Sequence, residues 1–85
     1  MPIDYRQIRN ITAREIENAL FRDGFLLTRS TGSHRRYSHE ASGRRVSISW
    51  HSRSQTFKPS TLRSVIERQA RWTEADLIRL GLIRN

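Results

Sequence analysis

Apolar residues along this chain change their spacing twice. From Thr12 to Asp23 they recur at helical intervals, with Ile16, Ala19 and Leu20 forming one stripe. Thr12 and Glu15 make a T-x-x-E capping box, Ile11 ahead of the cap can pack against Ile16, and Gly24 supplies a left-handed stop. Asp4 with Gln7, and Ile3 with Ile8, repeat this device more weakly and predict one helical turn around residues 5–9. From Phe25 to His51 the period falls to two. Phe25 and Leu27 share one face of a first strand, Tyr37 sits inside a second (His34–His39), and Val46, Ile48 and Trp50 alternate with Arg45, Ser47 and Ser49 in a third. Thr31–Ser33 and Glu40–Gly43 are short enough to be hairpin turns. The helical period then returns. Pro59 with Ser60 or Thr61 opens a helix lined by Leu62, Val65, Ile66 and Ala70. Thr73 and Asp76 cap another, with Trp72 placed to pack on Leu77 and Gly81 as the stop. The expected fold class is α+β: a helix, a three-stranded antiparallel sheet, a second helix and a short C-terminal one. An alternating sheet of this kind needs helices on one face only.

At 85 residues the chain predicts a single domain over 1–85, with a core of about 11–80 and an N-terminal extension of residues 1–10. Such a chain has little room for a large internal pocket, so its function is expected on an exposed face. There is no Cys, which excludes disulfides and thiolate metal sites. No apolar run approaches the roughly 20 residues of a membrane span, and the expectation is a soluble, cytoplasmic protein without membrane contact. The formal charge is +8, and it is unevenly spread: Arg29 to Lys58 holds seven basic residues and one acid, Glu40. All the cations but Lys58 are Arg, whose planar fork suits bidentate phosphate contacts. An anionic partner is expected, whether nucleic acid, an acidic protein or a membrane surface, a choice that charge alone does not make; if it is RNA, Arg36, Arg45, Arg53 and Lys58 are candidate RNA-binding residues.

Without Cys, and with carboxylates scattered, candidate chemistry falls to the three histidines. If Tyr37 faces the helices, so do Arg35 and His39, while His34, Arg36 and Ser38 face solvent. Arg45, Ser47 and Ser49 also point outward, as does His51 if the third strand continues that far. A metal bound by His34, His39 and His51 would need ligands from both faces of the sheet with no carboxylate, so no metal or cofactor is expected. An exposed imidazole beside Arg can instead perform acid–base chemistry near neutral pH. RNA carries its own nucleophile in the 2′-hydroxyl, and proton transfer plus charge stabilisation suffice to cleave it. Gly32 and Ser33, just ahead of His34, suit a close phosphate approach or an ordinary turn. His51 is a possible second acid–base group.

The run G-S-H-R-R-Y-S-H at 32–39, preceded by a capped helix and D-G-F at 23–25, and followed by R-V-S-I-S-W-H at 45–51 and P-S-T-L-R-S-V-I at 59–66, resembles the HicA toxins of bacterial type II toxin–antitoxin systems. The likeness spans about residues 11–80 and departs at Trp50, where relatives commonly carry Pro. It implies a fold like that of double-stranded-RNA-binding domains and an mRNA interferase, an endoribonuclease neutralised by a HicB-like antitoxin. It also implies that His34 is the catalytic residue, with Gly32 and Ser33 shaping the site. The competing expectation is a non-catalytic double-stranded RNA-binding module, which would need no His. Trp72, Phe57, Leu77 and Leu80 are candidates either for core packing or for antitoxin contact.

Overall fold

The computed structural model describes residues 2–84. A 3₁₀ turn, Tyr5–Ile8, leads into helix α1, Ala13–Arg22. Strands β1 (Leu26–Thr31), β2 (His34–His39) and β3 (Arg44–Ser49) follow and form one antiparallel sheet in the order β1-β2-β3. Helix α2, Pro59–Arg63, runs on as a π-helical stretch, Ser64–Gln69, and helix α3 spans Glu74–Arg79. This is the α+β architecture expected from the sequence, consistent with the fold of double-stranded-RNA-binding domains.

The predicted caps form as read. Thr12 and Glu15 close a reciprocal capping box on α1, and Thr73 and Asp76 close one on α3. Gly24 (φ 97°) ends α1 in the left-handed region, with the Phe25 N–H donating to the Leu20 carbonyl at 2.9 Å. The stripe of α1 is fully buried, as are Tyr37, Val46 and Ile48 of the sheet and Leu62, Val65, Ile66 and Ala70 behind them. The core is therefore one layer of side chains between the sheet and the helices, and it takes in Ile8 and Ile83 as well. Trp72, Leu77 and Leu80 belong to this core, and Phe57 packs at its margin, so these four are packing residues. The large apolar side chains left exposed are Phe21, Leu26 and Leu27, at the β1 edge and the end of α1.

The second helix differs from its reading. Beyond Arg63 it widens, the Ala70 N–H donating to the Val65 carbonyl at 2.8 Å and the Trp72 N–H to the Ile66 carbonyl at 2.8 Å. Arg71 ends it in the left-handed region (φ 55°), the place a glycine commonly takes. An L side chain costs about 1–2 kcal/mol in that conformation, and Arg71 is exposed. The Arg71→Gly variant should therefore be more stable by about 1 kcal/mol, read as a higher urea midpoint at an unchanged slope. A lower midpoint would mean that the side chain contributes more than its backbone conformation costs.

Candidate nucleic-acid interface

Register across the sheet decides which side chains meet. Thr31 and His34 flank a two-residue turn, Gly32-Ser33, in which Gly32 carries a positive φ (58°). Glycine at the first central position is the requirement of a type II′ hairpin, and it sets β1 against β2 from this end. His34 then lies between Thr31 on β1 and Ser49 on β3, and Arg36 between Arg29 and Ser47. A third row holds Leu26, Ser38 and Arg45. Cross-strand partners share a face, and this is the face the helices leave uncovered; all of these residues but the half-buried Ser38 are exposed.

Arg29 and Thr31 are site neighbours that strict alternation misses. Counting in twos from the inward Phe25 and Leu27 places them under the helices. The ladder contains a β-bulge between Leu27 and Arg29, with Thr28 as the extra residue and its hydroxyl donating to the Arg36 carbonyl at 3.2 Å. Ahead of the bulge odd-numbered residues face the core; after it they face solvent. The signal was present in the two-residue turn, which pairs Thr31 with His34 and so forces a phase change upstream.

A shallow depression of about 300 Å³ sits at these rows, lined by Arg29, Thr31, His34, Arg35, Arg36 and Ser47. No described Asp or Glu borders it. Positive charge has been sorted between the two faces. The inward-facing Arg35 pairs with Glu17 at 2.8 Å and lies 3.8 Å above the Trp50 ring, and Arg44 pairs with Asp23 at 3.0 Å. Among the described residues, every ion pair lies away from Arg29, Arg36 and Arg45. The outward guanidinium groups are thus available to an anion, whereas the inward ones are neutralised.

The other predicted residues are distributed as follows. Ser33 is half-buried, and its carbonyl accepts the Trp50 N–H. His39 faces inward against the Phe25 ring, 5.2 Å between centroids, with Nδ1 at 2.8 Å from the Ser42 hydroxyl in the second turn. Arg53 is exposed beside the start of α1, where its carbonyl accepts the Arg14 N–H, and it borders neither the His34 depression nor its neighbour. His51 does not extend the third strand, correcting that expectation. β2 begins at His34, so Ser49 is the last residue of β3 with a partner, and the chain turns away once the Trp50 N–H has met Ser33. His51 and Lys58 line a separate cleft on the far side of β3.

Among the described residues no helix is long and apolar enough to cross a membrane, and no three His, Asp or Glu side chains gather as a metal site. Neither the curated proteins nor the solved structures compared with the chain give a match. A family profile does: the one described as HicA toxin of bacterial toxin-antitoxin matches residues 13–72, well over half of the chain, from the start of α1 to just past the π-helical stretch. The sorted sheet face thus belongs to a toxin of a toxin–antitoxin pair, and the chain is a member of the HicA toxin family.

Proposed function

We propose that this toxin is a metal-independent endoribonuclease, an mRNA interferase, that cuts RNA on the uncovered face of its sheet. The observation carrying this reading is His34, exposed between Thr31 and Ser49 in an acid-free depression with Arg29 and Arg36 alongside. His34 takes the proton from the ribose 2′-hydroxyl, and the freed oxygen attacks the adjacent phosphorus. Arg36 and Arg29 stabilise the charge that develops on the phosphoryl oxygens. The bond to the 5′-oxygen breaks, and the protonated imidazole returns the proton to that leaving group. The products are a 2′,3′-cyclic phosphate and a 5′-hydroxyl. Arg45, one row away, holds a neighbouring phosphate, and the Gly32-Ser33 turn lets the backbone come close at the end of β2. A HicB-like antitoxin would neutralise the toxin by covering this face.

The test uses a defined transcript with and without EDTA, followed by end-group analysis. Cleavage should survive chelation and leave cyclic phosphate ends. Complete loss of cleavage under EDTA would overturn the metal-free mechanism. Intact RNA held in a complex that weakens steeply with salt would instead identify a binding module.

A further inference from the structure

Beyond β3 lies a second concavity of about 600 Å³, lined among others by His51, Lys58 and the hydroxyl residues Ser47, Thr56, Thr61 and Ser64. No described Asp or Glu borders it, and Ser47 borders the His34 depression as well. We infer that this cleft is a flanking subsite that holds the nucleotide next to the cleaved bond, on the same RNA strand, through its phosphate and ribose hydroxyls. The inference rests on the RNA-cleaving reading of the His34 face.

Position is the first argument. A single β-strand, about 4.8 Å from its neighbour, separates the two concavities, so a chain leaving His34 over Ser47 or Ser49 descends at once into the cleft. Chemistry is the second. A lysine ammonium is a point charge suited to phosphate, and serine and threonine hydroxyls are ordinary partners of phosphate and sugar oxygens. Backbone satisfaction is the third, because it removes the competing occupant. An edge strand normally invites a peptide strand through its free amides and carbonyls. Here the Ser47 N–H is taken by Gln69 Oε1 at 2.8 Å, and the Ser49 carbonyl by Gln55 Nε2 at 2.6 Å. Gln55 Oε1 also accepts the N–H groups of His51 and Ser52. A peptide strand would find those positions filled, whereas a sugar–phosphate chain needs only the side chains. The widened turn of the second helix acquires a role in this account, since it carries Gln69, which caps the edge.

Fluorescence anisotropy on the His34→Ala protein, with an end-labelled dinucleotide and an octanucleotide of RNA, tests the subsite under non-cleaving conditions. The octanucleotide should bind more tightly, and Lys58→Gln in this background should shrink that advantage about fivefold to tenfold and flatten the salt dependence by about 0.7 in log–log slope. Lys58→Arg should restore both, and Thr61→Val should reproduce part of the loss. Lys58 is exposed and makes no side-chain cap to its helix, so these changes should leave the urea midpoint in place. An octanucleotide advantage and salt slope indifferent to Lys58 and Thr61 would overturn the subsite. Cleavage is measured separately with the unsubstituted protein on the same octanucleotide. If the RNA stays intact while Lys58 still governs binding, the cutting role of His34 fails and the cleft remains a binding site.

Discussion

Replacing His34 with alanine is expected to reduce RNA cleavage by at least about a hundredfold and to abolish growth inhibition, with the unfolding midpoint unchanged. Two features make the effect large and confine it to chemistry. The imidazole is the one side chain of its depression suited to proton transfer; its neighbours are guanidinium groups and hydroxyls, which can bind phosphate but are poor proton acceptors. The ring is also exposed, so its removal leaves no cavity in the packed layer. Arg36→Ala should act differently, weakening both rate and binding in a salt-dependent way. Retention of cleavage by His34→Ala would end the proposed mechanism, whatever became of binding.

The largest effect on stability should come from Asp23, at the end of α1. Its carboxylate is 6% exposed and receives the Trp72 indole N–H at 2.8 Å, Arg44 at 3.0 Å and Arg79 at 2.6 Å, tying the first helix to the sheet and to the C-terminal helix. Removing the carboxylate leaves the Trp72 indole N–H and the mostly buried Arg44 without their shared acceptor, while the half-exposed Arg79 keeps Asp76, so the loss is about 2–4 kcal/mol. An 85-residue domain has only about 4–13 kcal/mol in total. Asp23→Ala should therefore be largely unfolded in moderate urea, and a loss below about 1 kcal/mol would show that the cluster is better solvated than its burial implies. The same site fixes the acid limit of the fold. Burial pushes the Asp23 carboxyl upward, but hydrogen bonds from Trp72 and Arg79 and the charges of Arg44 and Arg79 hold it below its ordinary value. Asp76, bonded by Thr73 and Arg79 against its own burial, is lowered too. Because both folded values lie below the unfolded one, near 3.9, their stabilisation is complete above it and is lost as pH falls through the folded values. Urea unfolding from pH 7 down to pH 2 should show a plateau, then a decline beginning near pH 4.

Most of the fold could be read from residues whose role is local. Both capping boxes, the glycine stops and the Val46–Ile48 alternation carry their instructions within a few positions, and each formed where it was read. Features decided by a distant partner were less legible. The end of β3 depends on where β2 begins, and the alternation through Trp50 does not reveal it, so the outward position of His51, conditional on a longer strand, is not realised. The π-helical widening is invisible to hydrophobic spacing, since Leu62, Val65, Ile66 and Ala70 are buried with it just as an α-helix would bury them. At the site, alternation within β2 put His34 and Arg36 on the exposed face and His39 on the other, because Tyr37 anchors the phase. Arg29 and Thr31 escaped because a single strand read alone does not reveal where its phase slips.

The extra residue at Thr28 links two properties that proteins usually vary independently. Shortening β1 by one position there would leave a choice between drawing Phe25 out of the packed layer and turning Arg29 and Thr31 beneath it. Substitutions along this strand can be absorbed one at a time, but an insertion or deletion between Leu27 and Arg29 strikes folding and recognition together.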